Sequence, residues 1–250
     1  LGYLVSVFNK AMKLNICHLY PDVLNLYGDT GNILCLKRRL EWRGIDSEVT
    51  ALPIGANADF TRFDLFFIGG GQDFEQEVLL ADLHSGKDKE ILSAIEDEKV
   101  FLCICGGYQM MGQYYRTHTG QQYDFIGALN LHTLGSDVRM IGNYMFRCEA
   151  LSGGSTVVGF ENHSGKTYLG EGVSPLGTVL HGYGNNGEDG TEGARFKNVF
   201  GAYCHGPILP KNPEFADLLL QTALSRRYPG ATLPPLNDGL ENKAHGYMTN

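Results

Sequence analysis

The segment from Val100 to Met111 reads VFLCICGGYQMM and constrains the local fold more than any other part of the chain. An apolar run leads directly into Cys105, two glycines follow, and a helix-like pattern begins at Tyr108. A buried strand, a tight turn and a helix fit this order of residues, because glycines permit the sharp change of direction. The sequence therefore predicts that Cys105 lies in a strand-to-helix turn.

A cysteine in such a turn is suited to nucleophilic chemistry. The nucleophile elbow of G-x-S-x-G hydrolases has the same logic. The following helix directs its N-terminal amides at the sulfur, which favours the thiolate, and those amides can also bind an oxyanion. A buried structural cysteine is the alternative, since cysteine is common in protein cores. We interpret Cys105 as an acyl-transfer nucleophile and the amide of Gly106 as a candidate oxyanion donor.

A candidate base lies far along the chain. The segment NVFGAYCHGP, from Asn198 to Pro207, predicts a buried strand followed at once by His205 and then by a Gly-Pro breaker. Open α/β sheets place their chemistry at the carboxyl ends of strands. A cysteine nucleophile and its histidine base are typically distant in sequence. His205 is therefore the candidate base.

A glycine-rich loop follows another apolar strand in FFIGGGQDFEQ, from Phe66 to Gln76. Backbone N–H groups in such a loop can approach a ligand closely, so Gly70 and Gly71 are further candidate oxyanion donors. The segment has no G-x-x-x-x-G-K-[ST] and no G-x-G-x-x-G pattern, which excludes a P-loop and a dinucleotide fingerprint.

Strands alternate with helices in the first half of the chain, which predicts a parallel, doubly wound α/β sheet. From about Gln121, short β-like runs between glycine-rich turns predict a mixed or antiparallel extension of that sheet. The predicted strands and helices are Lys13–Leu19, Asn32–Arg43, Asp46–Leu52, Leu65–Ile68, Phe74–Glu98 with a break at Ser85-Gly86, Val100–Ile104, Arg139–Phe146, Thr156–Phe160, Val179–Leu180, Val199–Cys204 and Pro213–Arg227.

The domain organisation is expected to be simple. Residues 12–227 are predicted to form one domain, residues 1–11 an upstream extension or remnant, and residues 228–250 an extended C-terminal tail. The segment Gly184 to Gly193 predicts a polar loop, either a plain solvent loop or a lid or partner contact.

Composition narrows the function classes. The net charge is −8 and the sequence pI is about 5.4, which argues against a nucleic-acid surface. Six scattered cysteines form neither a disulfide framework nor a zinc motif, so we expect reduced thiols, no metal site and a cytoplasmic setting. No apolar run has the length of a transmembrane helix.

Several strings together resemble the class I (triad) glutamine amidotransferases, and specifically their cobyric acid synthase-like branch. That branch keeps the cysteine and histidine but lacks the usual glutamate two residues after the histidine, and here His205 is followed by Gly206 and Pro207. The matching strings, between Met12 and Leu224, are LNLYGDTGNI (Leu24–Ile33), FFIGGG, CGGYQ, VGFENHSGKTY (Val158–Tyr168), GYGNN (Gly182–Asn186) and HGPILPKNP (His205–Pro213).

The resemblance implies a flavodoxin-like sheet and a set of site residues. Cys105 corresponds to the family's nucleophile and His205 to its base. Arg139, in SDVRM, stands where the family places an arginine for the substrate α-carboxylate, a role that suits a planar guanidinium. Gln109, on the first turn after the elbow, is a further candidate for hydrogen bonding to substrate.

Within this branch, the strings resemble the glutaminase subunits of lipid II isoglutaminyl synthases, which act in peptidoglycan biosynthesis. This implies hydrolysis of L-glutamine and transfer of ammonia to a MurT-like Mur-ligase subunit in a heterodimer. That partner would bind ATP and Mg²⁺ and contact lipid II, and this chain would need no cofactor. The alternatives are another acceptor, as in cobyric acid synthases, a ThiJ/PfpI-type cysteine hydrolase, or a catalytically silent scaffold. The source of the missing triad acid stays open.

Overall fold

The computed structural model describes residues 12–71 and 77–249. The predicted extension at residues 1–11 and the predicted start of a helix at Phe74 lie outside the described residues. The strands are, in chain order, β1 (Lys13–Leu19), β2 (Asp46–Leu52), β3 (Leu65–Ile68), β4 (Val100–Ile104), β5 (Tyr114–Arg116), β6 (Gln122–Asp124), β7 (Leu131–Cys148), β8 (Thr156–Leu169), β9 (Gly177–His181), β10 (Thr191–Glu192), β11 (Ala194–Phe196) and β12 (Val199–Ala202). The α-helices are α1 (Thr30–Glu41), α2 (Glu77–Asp82), α3 (Asp88–Glu96), α4 (Gly106–Met110), α5 (Pro213–Arg227) and α6 (Gly239–Thr249).

The central sheet has the order β11-β12-β4-β3-β1-β2. All of its neighbouring pairs are parallel except β11 with β12. The first four strands occupy the residues predicted from the sequence, so the doubly wound α/β class is confirmed. The carboxyl ends of β1, β3, β4 and β12 lie along one edge of this sheet, where an open α/β sheet binds its ligands.

The predicted extension is a second sheet with the order β10-β9-β7-β5-β6, and β8 pairs with β7. Its pairs are antiparallel apart from β5 with β7. Phe160 and His205 exchange backbone hydrogen bonds of 3.2 and 2.8 Å, and this isolated bridge joins β8 to the residue that follows β12. The second sheet therefore reaches the functional edge of the first.

The core lies around the central strands. Every residue of β3 and β4 is fully buried, and the rings of Phe66 and Phe101 stack at 4.5 Å across them. Leu36 and Leu40 of α1 are also fully buried. Burying one such large apolar side chain contributes about 1.5–3 kcal/mol, so this apolar centre holds the strand ends in place.

The predicted helix 74–98 is interrupted as expected. A π-helical turn, Leu83–Lys87, separates α2 from α3, and Gly86 has a φ of 133° there. Short 3-10 turns occur at Leu26–Gly28, Phe60–Arg62, Ser152–Gly154 and Leu209–Lys211.

The prediction of an extended tail over residues 228–250 is wrong for its last part, because Gly239–Thr249 is α6. Polar contacts rather than an apolar face fix this helix. The ring of His245 lies 2.9 Å from the Thr156 hydroxyl and 3.0 Å from the Lys211 carbonyl. Just before the helix, Asp238 pairs with the buried guanidinium of Arg39 at 2.7 Å.

The segment Gly184 to Gly193 is also not a plain solvent loop. Asn185, Asn186 and Glu192 are buried. The Asn186 side-chain oxygen accepts from the amides of Glu188 and Asp189, and β10 closes the segment against β9. Hydrogen bonds of buried asparagines therefore order a stretch whose polar sequence predicts exposure.

No helix in the described part of the chain is long and apolar enough to cross a membrane.

Candidate active site

Cys105 lies in the predicted strand-to-helix turn. It follows β4 with φ 49° and ψ −105°, a left-handed conformation that is strained for a residue with a side chain. Its amide donates to the Ala202 carbonyl at 2.8 Å, which ties the turn to β12. A Cβ at Gly107 would lie 2.6 Å from the Ile68 carbonyl oxygen, so the turn requires a glycine there. The sulfur is held at the wall of a cleft of about 150 Å³.

His205 lies beside this turn, as its position after β12 predicts. Its side chain is fully buried, and the rings of Tyr27 and Phe160 pack against it at 4.9 and 5.7 Å between ring centroids. The imidazole Nδ1 is 3.5 Å from Asp29 Oδ1. Neither ring nitrogen completes a well-aligned hydrogen bond to any described residue. Catalytic hydrogen bonds are often long without substrate and shorten in the Michaelis complex.

Asp29 is a candidate for the acid that the histidine segment lacks, and the sequence reasoning did not identify it. Its carboxylate is fully buried between His205 and the glycine loop, and Oδ2 accepts the Gly70 amide at 2.6 Å. The available signal was its position in LNLYGDTGNI, because this string follows β1 and must reach the carboxyl edge of the sheet. The three side chains Cys105, His205 and Asp29 thus form one cluster.

Electrostatics in the cluster favour a charged imidazole. Burial lowers the pKa of His205, but the side chains of Asp29 and Cys105 raise it by more, and the result is a pKa of about 10. An imidazolium held next to a cysteine sulfur is the arrangement that activates a thiol nucleophile.

Gly70 lies between the three side chains. A Cβ there would be 2.7 Å from His205 Cε1 and 3.4 Å from Cys105 Cβ, so only glycine lets these groups approach one another. Its N–H is already donated to Asp29. The prediction that Gly70 is an oxyanion donor is therefore not supported by this geometry, because that hydrogen is aimed at the carboxylate. Two candidate oxyanion donors remain: Gly71, which lines the cleft, and Gly106, the first residue of α4.

Gln109 and Arg139 both line the cleft, as the sequence predicts for substrate-binding groups. Gln109 is buried, and its Nε2 donates to the Tyr203 hydroxyl at 2.8 Å. Arg139 is exposed at the rim. Its Nε donates to Asn162 Oδ1 at 2.5 Å, and its Nη2 lies 3.5 Å from the Tyr27 hydroxyl. The cleft therefore has a cysteine sulfur in its wall and an exposed guanidinium at its rim.

His163 and Glu161, from the GFENHSG string, are buried residues of β8. His163 lines the cleft and stacks on Tyr203 with 3.7 Å between ring centroids. Its Nδ1 is 2.9 Å from the Gly165 carbonyl, and its Nε2 is 3.5 Å from Glu161. The Glu161 carboxylate accepts the amides of Tyr183 and Gly184. This motif thus shapes the cleft wall, a role that the sequence alone did not reveal.

The other thiols differ from Cys105 in their surroundings. Burial alone raises the pKa of Cys103 well above its ordinary value, and burial likewise raises the pKa of Cys17 and Cys204. A neutral buried thiol is inert. Of the cysteines, only Cys105 lines the described cleft beside a histidine.

Across residues 12–71 and 77–249, no group of three or more His, Cys, Asp or Glu side chains is arranged to hold a metal ion.

Solved structures share the fold at low sequence identity. PurLQS from Thermotoga maritima matches with a TM-score of 0.59 and 18% identity, over 86% of this chain and 99% of that one. A glutamine amidotransferase from the same organism matches with a TM-score of 0.55 and 13% identity, over 94% and 93% of the two chains. These likenesses show that the chain shares the fold of these two proteins.

Sequence comparison extends beyond the fold. Lipid II isoglutaminyl synthase (glutamine-hydrolyzing) subunit GatD of Streptococcus pneumoniae is 42% identical over 88% of this chain and 84% of that protein. The subunit of the same name from Staphylococcus aureus is 42% identical over 86% of each chain. The sequence profile of CobB/CobQ-like glutamine amidotransferase domains matches residues 15–213. The chain belongs to the CobB/CobQ-like glutamine amidotransferase family.

Proposed function

We propose that this chain is the glutamine-hydrolysing subunit of a lipid II isoglutaminyl synthase. The observation that carries the proposal is that Cys105 lines a cleft with Arg139 at its rim and clusters with the buried side chains of His205 and Asp29. Support for the acceptor comes from the two relatives of that name, which match over more than four fifths of their length.

The chemistry of the cluster is acyl transfer. The Cys105 thiolate attacks the side-chain amide carbon of L-glutamine, and the developing oxyanion is bound by backbone N–H groups of Gly71 and Gly106. His205 then gives its proton to the nitrogen, ammonia leaves, and a glutamyl thioester stays on the sulfur. His205 next takes a proton from water, whose oxygen attacks the thioester and releases glutamate and the thiolate.

Each other group has a part in this cycle. Asp29 faces Nδ1 of His205, which leaves Nε2 for exchange of the proton with sulfur, amide nitrogen and water. The Arg139 guanidinium offers a bidentate contact to the α-carboxylate. Gln109 lines the same cleft and is a candidate contact for the substrate α-amino group or side chain.

Use of the ammonia requires a second protein. The chain has no P-loop sequence, so the ATP and Mg²⁺ that activate a carboxylate are assigned to a MurT-like ligase subunit in a heterodimer. That subunit would bind lipid II, and the product would be D-isoglutamine in the stem peptide. The absence of disulfides among the six cysteines fits a cytoplasmic site for this step.

The test is reconstitution. The chain is combined with a Mur-ligase-like partner, ATP, lipid II and L-glutamine as the sole nitrogen source. We expect the stem peptide to show the mass change for replacement of a hydroxyl by an amino group, only with both proteins present. Amidation by this chain alone, or amidation that persists with Cys105→Ala, would contradict the proposal. Glutamine hydrolysis without amidation of lipid II would point instead to another acceptor.

A further inference from the structure

Asn162 contacts two other residues of the cleft lining, Arg139 and Tyr27, through its side-chain amide. Its Oδ1 accepts from Arg139 Nε at 2.5 Å, and its Nδ2 donates to the Tyr27 hydroxyl at 2.7 Å. The Tyr27 ring in turn packs edge-on against His205 at 4.9 Å. One side chain of β8 thus contacts both the guanidinium at the rim and the tyrosine that covers the histidine.

Arg139 needs such an anchor, because strand pairing does not fix it. The register between β7 and β8 shifts between Gly135 and Met140, so Arg139 lies in an irregular stretch of β7. Its side chain is exposed and, without a partner, would sample many rotamers. Ile141 and Asn162 are cross-strand partners, which places Asn162 on the same face as Arg139, two residues along.

We propose that Asn162 is a positioning residue for substrate recognition, holding the Arg139 guanidinium with its two terminal nitrogens toward the α-carboxylate of L-glutamine. The inference rests on the function proposed above. Because Asn162 takes the Nε–H, the outer edge of the guanidinium carries the bidentate contact. Ordering of the arginine before binding removes an entropic cost that binding would otherwise meet.

Tyr27 extends the same arrangement to the reacting centre. It has a left-handed φ of 55° in the turn after β1, a strained conformation for a tyrosine. The ring contacts with His205 and Phe160 hold it there. The Tyr27 hydroxyl, fixed in this way, accepts from Asn162 and so holds the amide whose oxygen binds Arg139.

The test uses covalent labelling of Cys105, which reports recognition without full turnover. A diazoketone analogue of L-glutamine alkylates the thiol, with the sulfur displacing dinitrogen and the thiol proton passing to the diazo carbon. Its D-enantiomer presents the carboxylate in the wrong place, and iodoacetamide has none. We expect Asn162→Ala to slow labelling by the L-analogue about tenfold, with the D-analogue and iodoacetamide rates unchanged.

A double-mutant cycle separates positioning from a general loss of structure. In an Arg139→Ala background, Asn162→Ala should have no further effect on the L-analogue rate, because nothing is left to position. Asn162→Asp keeps the acceptor for Nε but pairs the guanidinium with a carboxylate, which offsets the positive charge offered to the substrate, so it should also reduce the preference for the L-analogue. Asn143→Ala, an exposed amide on the neighbouring strand, is the matched control and should behave as wild type.

The outcomes are distinguishable. If the wild-type chain shows no preference for the L-analogue over the D-analogue, the proposed glutaminase function itself is contradicted. If wild type shows the preference and Asn162→Ala keeps it within twofold, or if its effect multiplies with that of Arg139→Ala, then the positioning role is wrong while the function stands.

Discussion

Replacement of Asp29 by asparagine removes one buried charge and leaves the shape of the cluster nearly unchanged. Asp29 Oδ1 is 3.5 Å from His205 Nδ1. At an effective dielectric constant of about 20, attraction between opposite charges at this distance is about 5 kcal/mol. Loss of that attraction corresponds to roughly three orders of magnitude in the proton affinity of the imidazole.

The asparagine also forces the wrong tautomer. The Gly70 amide, 2.6 Å from Asp29 Oδ2, requires an acceptor, so the asparagine oxygen must face it. The asparagine NH₂ then faces Nδ1 of His205, which must accept, and the ring proton moves to Nε2. A His205 protonated there while neutral cannot take a proton from Cys105 or water. We therefore expect Asp29→Asn to lower kcat for glutamine hydrolysis by about 10³-fold, with little change in KM.

The assay is ammonia release from L-glutamine, with Asp22→Asn as the control, since that carboxylate is exposed in the same loop. Thermal unfolding of both variants checks that the fold is kept. Activity of Asp29→Asn within fivefold of wild type would refute the role of Asp29 as the orienting acid.

The remaining predictions concern the cysteine thiols, the Arg139 contact to substrate, the glycine loop and the pH dependence of stability. Cys105→Ala should abolish glutamine hydrolysis and labelling, whereas Cys103→Ala, in the core, should affect stability but keep a reactive site; peptide mapping of the label decides between them. Arg139→Ala should raise KM about ten- to hundredfold and Arg139→Lys should recover part of it, because an ammonium cannot form the bidentate contact; unchanged kinetics in both would make Arg139 an ordinary surface residue. Gly70→Ala should push His205 aside and reduce kcat by about 10²-fold or more, and wild-type activity would contradict the close approach. The folded-state pKa of His205 is about 10 against an ordinary 6.5, so its contribution to stability is complete below about pH 6.5 and is lost as the pH rises toward 10. Urea unfolding across this range should show the loss in wild type, and an equal fall of the unfolding free energy with pH in His205→Ala would contradict this contribution.

Local signals made much of the fold predictable from sequence. The strands Leu65–Ile68 and Val100–Ile104 are short apolar runs with glycines directly after them, and the structure has them at the same residues. Burial of both faces explains such unbroken runs. The turn at Cys105 was predictable for the same reason, since its strand, glycines and helix are contiguous.

Residues that act across long separations were not predictable in this way. Asp29 gains its role only when the ends of β1 and β3 bring it to Gly70, 41 residues away. Asn162 meets Tyr27 over a separation of 135 residues. An isolated aspartate or asparagine carries no local sign of its partner, so the sequence strings contained these residues without indicating their contacts.

Polar ordering explains the helix that the predicted extended tail missed and the order of the loop for which two readings were left open. The helix Gly239–Thr249 lacks buried residues and docks through the His245 ring, so hydrophobic periodicity gave no signal. The loop Gly184 to Gly193 has the composition of an exposed turn, yet Asn185 and Asn186 are buried and donate to the carbonyls of Gly193 and Thr167. Pattern reasoning treats polar residues as exposed and therefore misses those that hold a segment together.

The measurement that tests the central claim most directly is capture of the acyl-enzyme. The chain, combined with the ligase subunit proposed above, is mixed with L-glutamine, quenched in acid during turnover, and digested for peptide mass analysis. The account predicts one glutamyl group on the Cys105 peptide, absent from Cys105→Ala and accumulating when deacylation is slow. Steady release of ammonia with no adduct on that peptide, or an adduct on another cysteine, would contradict it.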